Sequence, residues 1–209
     1  MSDRVVLFLD YQNVYRGARE IFHPRASDHT CGQIDPLKLG QSIVDSSPFD
    51  RVLKEVRVYR GKPDSSRDSK GFAACTRQVD IWEQDPRVVV TTRMLRYPYG
   101  WPNRSQLGEK PQEKGIDVAL AIDFVAQAVA QEYDVGILMS TDTDLKPALE
   151  FVADRTRSWG KPRAEVAAWS GEEMHSRRLS IAGSKLWCHW LDADTYGKVK
   201  DDADYSRPL

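Results

Sequence analysis

The sequence predicts an α/β protein: a three-layer α/β/α sandwich around a mostly parallel, doubly wound sheet. Short apolar, β-branched runs (Val5–Leu9, Val88–Thr92, Val135–Met139) alternate with longer amphipathic stretches, the order expected of βαβ units. The first and last of these runs are almost wholly apolar, as strands covered on both faces are. Each also ends in acid: Val5-Val6-Leu7-Phe8-Leu9 runs into Asp10, and Val135–Met139 runs through Ser140-Thr141 into Asp142 and Asp144.

The elements follow in order. The first strand spans about Arg4 to Asp10, and an amphipathic helix covers Asn13 to Ile21. His23 to Gln33 is a polar loop. Asp35-Pro36 supplies an N-cap carboxylate and a proline at the first helical position, and that helix stops near Ser46-Ser47-Pro48. Val52 to Tyr59 alternates as a strand, Gly61 to Ser69 is a charged loop, and a helix from Lys70 to Glu83 ends before Asp85-Pro86. Val88 to Thr92 is the third strand. Arg93 to Gln112 is a proline-, glycine- and arginine-rich loop longer than most connections, which itself points to function. Ile116 to Gln131 is a helix, Asp134 to Ser140 the fourth strand, Leu145 to Arg155 a helix and Ala164 to Trp169 the fifth strand. Glu172 to Leu179 is assigned as helical and Lys185 to Leu191 as a short extra strand. Residues 1–192 form one domain that includes the loop 93–114, and residues 193–209 a polar, flexible tail.

At 209 residues and 41% hydrophobic content, the chain can bury one sizeable core. Its apolar runs are too short to span a bilayer, and Met1-Ser2-Asp3-Arg4 leads directly into a strand rather than a signal peptide. The expectation is a cytoplasmic protein without a membrane partner. Three widely spaced cysteines (Cys31, Cys75, Cys188) form no CxxC pair, which excludes a disulfide framework and a zinc knuckle.

The net charge of -1 argues against indiscriminate coating of nucleic acid. Its distribution is uneven. Arg93, Arg96, Arg104, Lys110 and Lys114 face only Glu109 and Glu113, and Tyr97, Tyr99 and Trp101 are interleaved with them. That segment is a local basic, aromatic track.

Clustered acids at buried strand ends repel one another and must stay hydrated or meet a cation. In doubly wound sheets, ligands sit at the carboxyl ends of the strands, where strand order reverses. If the first and fourth strands are neighbours, Asp10 and Asp142 come within reach of one ion, and oxygen-only donors favour Mg²⁺ or Mn²⁺ over zinc. Asp117, just after Lys114-Gly115, opens the helix that packs over this edge. Asp123, Gln127 and Gln131 share one helical face, most simply the solvated one. Taken singly, Asp10 could be a turn residue, and Asn13 or Asp144 an N-cap; their coincidence with Asp142 and Asp117 points to a site.

At these residues the chain resembles the NYN domain family, a branch of the PIN-like metal-dependent nucleases. Leu9-Asp10-Tyr11-Gln12-Asn13-Val14 matches the D-x-x-N opening, Lys114-Gly115-Ile116-Asp117-Val118 the K-G-x-D helix start, and Ser140-Thr141-Asp142-Thr143-Asp144-Leu145 the S-x-D-x-D-[FL] turn. The resemblance covers about Arg4 to Trp169. It implies a PIN-like sandwich with Asp10, Asn13, Asp117, Asp142 and Asp144 as the active-site set, and Asp123 matches a second helix acid of some members. The chain departs from the pattern in the threonines of the S-x-D-x-D turn and in the long segment 93–112.

These residues lead to an expected metal-dependent ribonuclease, an endonuclease acting on RNA with Mg²⁺ or Mn²⁺ held by Asp10, Asp117, Asp142 and Asp144. Lys114, Arg93, Arg96 and Arg104 bind flanking phosphates in this reading, and Tyr97 or Trp101 stacks an unpaired base. The alternative is an RNA-binding or regulatory module with little turnover, acting through partners; a homodimer is compatible with either. A phosphatase with two aspartates spaced by one residue after the first strand is disfavoured, because Gln12 stands at the second position.

Overall fold

The computed structural model of the chain describes residues 1–101, 109–172, 174–175 and 177–207. Six strands form one sheet: β1 (Asp3–Asp10), β2 (Arg51–Lys62), β3 (Val88–Met94), β4 (Val135–Met139), β5 (Arg163–Trp169) and β6 (Cys188–Leu191), in the order β3-β2-β1-β4-β5-β6. Every neighbouring pair is parallel. The order reverses between β1 and β4, which places the switch point where the sequence puts its acids.

The helices are α1 (Tyr11–Phe22), α2 (Pro36–Asp45), α3 (Ser69–Trp82), α4 (Ile116–Val129), α5 (Lys146–Trp159) and α6 (Ala193–Val199). Strand alternation divides the core into two faces. Val5, Leu7 and Leu9 of β1 pack with Tyr11, Val14 and Ala18 of α1 and with Leu39 and Ile43 of α2. Val6 and Phe8 point the other way, against Ile116, Leu120 and Phe124 of α4 and Leu149 and Val152 of α5. The result is a PIN-like three-layer sandwich.

Four sequence expectations change. The simple alternation of β2 breaks at a bulge, since Val5 pairs with Leu53 but Val6 with Glu55; the extra residue, Lys54, reaches out to Glu132 instead. Residues 172–179 form no helix among the described positions; a single bridge, Ser170 to His175, lies there instead, and Leu179, Ile181 and Leu186 are buried against the α4/α5 face. Of the stripe assigned to water, Asp123 and Gln127 lie against β2, whereas Gln131, past the end of α4, is exposed as expected. Asp123 accepts from Tyr59 Oη at 2.7 Å and pairs with Arg57 Nη2 at 3.4 Å, whereas Val118 and Ile122 are 59% and 60% exposed. The arginine and tyrosine of β2 draw the polar edge inward.

The fourth change concerns the segment beyond Asp192, expected to be a flexible tail. It forms α6, capped by Asp192, with Tyr196 and Val199 buried. Tyr196 stacks on Phe22 and meets Trp169 edge-on. Farther on, Gln33 Nε2 donates to the carbonyls of Asp201 and Ala203, and Tyr205 is buried. Three aromatic or branched anchors outweigh the polar composition between them.

Candidate active site

Asp10 sits at the end of β1 and caps α1, its Oδ1 accepting from the Asn13 amide at 3.2 Å. Only 1% of it is exposed. Its other oxygen accepts from Ser140 Oγ at 2.8 Å and from Asn13 Nδ2. Asn13 in turn accepts from Thr141 Oγ1 at 2.5 Å, so the D-x-x-N and S-x-D-x-D segments are tied directly together. The threonine thus contributes a bond. Burial, with a smaller contribution from Asp142, pushes the Asp10 carboxyl above the usual carboxylate range against the lowering effect of its hydrogen bonds.

Asp142 follows β4. Ser140 Oγ accepts from its amide at 3.0 Å, and its own Oδ1 accepts from the Asp144 amide at 2.9 Å, capping the 3₁₀ turn Thr143–Leu145. Asp144 is exposed and is not among the described residues lining the cleft. Asp117 stands in the first turn of α4, half-buried. Its start is Gly115, whose left-handed φ of 74° L-residues rarely adopt. Burial raises Asp117, and Asp10, Asp142 and Asp144 add to the rise by repulsion. Four acids from three segments therefore act on one another at the switch point.

A fifth acid was not singled out from the sequence. Glu113 Oε1 accepts from the Gly61 amide at 2.5 Å, and a Cβ on Gly61 would stand 2.7 Å from that same oxygen, so a larger residue there would push the Glu113 side chain aside. Burial raises Glu113 as well, and Asp10 and Asp117 repel it. The Gln12 amide, oriented by its hydrogen-bond partners, donates to Glu113 Oε2 at 3.0 Å and accepts from Arg16 Nη2 at 2.7 Å. Arg16, one turn beyond Gln12 on α1, is a basic residue that the sequence alone does not single out; the i, i+4 spacing is its signal.

These groups border a cleft of about 980 Å³. Asp10, Asp117, Asp142 and Glu113 line it together with Arg16, Arg96, Lys110, Tyr97 and Tyr99. Arg96 and Gln112 bridge through both backbone amides at 2.8 and 2.9 Å, closing the neck of the segment between them. Tyr97 is anchored, its Oη accepting from the Asp64 amide at 3.1 Å, with Arg67 over its ring and Trp101 6.2 Å away. Arg93, Lys114 and Trp101 are not among the described residues lining the cleft; the Arg93 guanidinium lies beside Gly115 instead. Arg104 falls outside the described residues. Asp123, tied to Tyr59 and Arg57, does not line the cleft either.

An all-carboxylate, amide and hydroxyl donor set fits a hard divalent cation rather than zinc. Among the described residues, no three acids, histidines or cysteines are drawn into a cage that could hold an ion. Among the described residues, no helix is long and apolar enough to cross a membrane.

Comparison with known proteins agrees with the fold. A solved protein of unknown function from Vibrio parahaemolyticus superposes with a TM-score of 0.52 at 16% identity, over 92% of this chain and 95% of that one. No curated protein matches. The family model for the NYN domain matches residues 4–162, the span that holds β1, the acidic cleft and every motif acid, and the chain belongs to this family of PIN-like nucleases.

Proposed function

We propose that this protein is a metal-dependent ribonuclease that hydrolyses RNA phosphodiester bonds at the β1/β4 switch point. The observation that carries the reading is a buried Asp10 grouped with Asp117, Asp142 and Glu113 under a rim of Arg16, Arg96 and Lys110. A nucleic-acid backbone needs both parts: cations for flanking phosphates and an acidic centre for the one that reacts.

Asp10, Asp117 and Asp142 would hold Mg²⁺ or Mn²⁺, with Asp144 adding negative charge from the turn. Such an ion supplies an activated water and offsets the charge developing on the phosphate. The protein does the rest. Ser140 and Asn13 fix the direction of Asp10, and Thr141 fixes Asn13, so the centre is oriented before RNA arrives. Arg16, Arg96 and Lys110 hold the strand on either side, and Tyr97 and the 95%-exposed Tyr99 offer faces to unpaired bases.

A second reading, an RNA-binding module with little turnover, draws on the same basic rim and on Tyr97 and Tyr99, which line the cleft. Purified protein with single-stranded RNA and Mn²⁺ separates the two. The nuclease reading expects cleavage that Asp10→Asn and Asp142→Asn each abolish while the melting curve stays cooperative. Equal cleavage by both variants, or none by the parent chain, overturns it.

A further inference from the structure

Beside the acidic cleft lies a chamber of about 290 Å³, walled in part by Tyr11, Tyr15, Arg60, Gln78, Gln12 and Glu113. Gln12, Pro111 and Glu113 line both spaces, so one wall is common to them. Nothing in the cleavage chemistry uses the far side of this chamber.

Its chemistry is mixed in a particular way. The Arg60 guanidinium lies over the rings of Tyr11 (4.9 Å) and Trp82 (5.7 Å). It donates to Gln78 Oε1, and its buried Nε has no partner among the described residues. Gln78 is itself buried and donates to Tyr11 Oη at 3.1 Å. Arg60 is thus held in one pose before any ligand arrives, which removes an entropic cost of binding. Glu113 supplies the opposite character, a carboxylate on which the Arg60 charge already acts. A phosphate would be repelled by Glu113 and a metal ion by Arg60. A flat neutral group that carries donors and acceptors and can lie near aromatic rings satisfies both.

We propose that this chamber is a nucleobase subsite that selects guanine in the strand being cut. The inference rests on the nuclease reading for the presence of RNA in the neighbouring cleft. Guanine fits the pair best. Its adjacent N1–H and N2–H match the second lone pairs of the two Glu113 oxygens, whose first partners are the Gly61 and Gln12 amides, and its O6 and N7 match the Arg60 terminal N–H groups that Gln78 does not use. The other three bases present at most one half of this pattern in bidentate form. The volume takes one purine, and the lining shared through Gln12, Pro111 and Glu113 sets it next to the cleft, within reach of a base splayed out from a strand whose phosphate lies there.

The test needs no cleavage. The whole chain is titrated, without metal, with guanosine, adenosine, cytidine and uridine, and binding is followed by NMR shifts. Guanosine is expected to bind on the order of tenfold tighter than the others, and Arg60→Lys, which keeps the charge and loses the fork, to bring the four within about twofold of one another. Because the parent chain's own selectivity decides, a variant that fails to fold leaves the answer intact. Equal affinity for the four nucleosides, or none measurable, overturns the subsite even if RNA is cut. Selective guanosine binding by a protein that never cleaves RNA overturns the nuclease reading and leaves the subsite standing.

Discussion

Removing the charge of Glu165 should cost about 3–5 kcal/mol of stability. Glu165 lies in β5 on the face that carries Ala167 and Trp169, and its side chain is 6% exposed. Arg51, at the start of β2, donates to it through Nη1 at 2.9 Å and Nη2 at 2.6 Å, and His189 Nε2 lies 2.8 Å from the same carboxylate. The Arg51 side chain is 1% exposed, so Glu165→Gln strands a guanidinium with no water to take the place of its partner. A buried pair broken from one side costs about 3–5 kcal/mol. At roughly 2–4 °C per kcal/mol for a domain of this size, the melting temperature should fall by about 10 °C. Replacing all three, Arg51→Met and Glu165→Leu with His189→Phe, should recover most of the loss, since neither a charge nor an unpartnered ring nitrogen is left buried. Burial raises the Glu165 carboxyl, yet the bonds from His189 and Arg51 outweigh it and hold the group below its usual 4.5. The stabilisation is therefore complete above that ordinary value and is lost as pH falls through the lower folded one. Urea unfolding at neutral and acidic pH measures both effects. A Glu165→Gln protein within about 1 kcal/mol of the parent, or a triple variant as damaged as the single one, would refute the reasoning.

Three further outcomes follow from the same contacts. Asp10, Asp117 and Glu113 all keep their protons above the usual carboxylate range, so Mn²⁺ must displace protons and should bind less tightly as pH falls through that window. Calorimetry at mildly acidic pH in two buffers of different ionisation heat should show net proton release, and its absence counts against the shared site. Asp123→Asn weakens the contacts to Tyr59 and Arg57 at a cost of about 1 kcal/mol and should leave RNA cleavage unchanged; lost cleavage would return Asp123 to the active site. Ending the chain at Asp192 removes buried Tyr196, Val199 and Tyr205, each worth about 1.5–3 kcal/mol. A truncated chain that still melts within a few degrees of the parent would show that α6 is not part of the core.

The centre of the candidate site is legible in the sequence because it depends on strand ends. Apolar runs fix where β1 and β4 finish, and Asp10 and Asp142 come next in the chain whatever the loops do. Their meeting requires only that β1 and β4 be neighbours, as they are. Glu113 is not legible in that way. Its place depends on Gly61 offering an amide across the sheet edge, a contact with no periodicity and a separation of more than fifty residues. The outer face of α4 misleads for a related reason. Asp123 and Gln127 have the spacing of a solvated stripe, but Arg57 and Tyr59 of β2 attract them, and pairing of this kind depends on a distant strand. Beyond Asp192 the net polarity conceals three anchors, and average composition gives no weight to a single tyrosine that fills a gap between Phe22 and Trp169.

The central claim is that the acids at the β1/β4 switch point hold a divalent cation. An anomalous difference map from crystals soaked in Mn²⁺ tests it most directly. A peak is expected among Asp10, Asp117 and Asp142, and no peak there in an Asp10→Asn crystal. A map with no peak at those three carboxylates, or with its strongest peak elsewhere on the molecule, would contradict it.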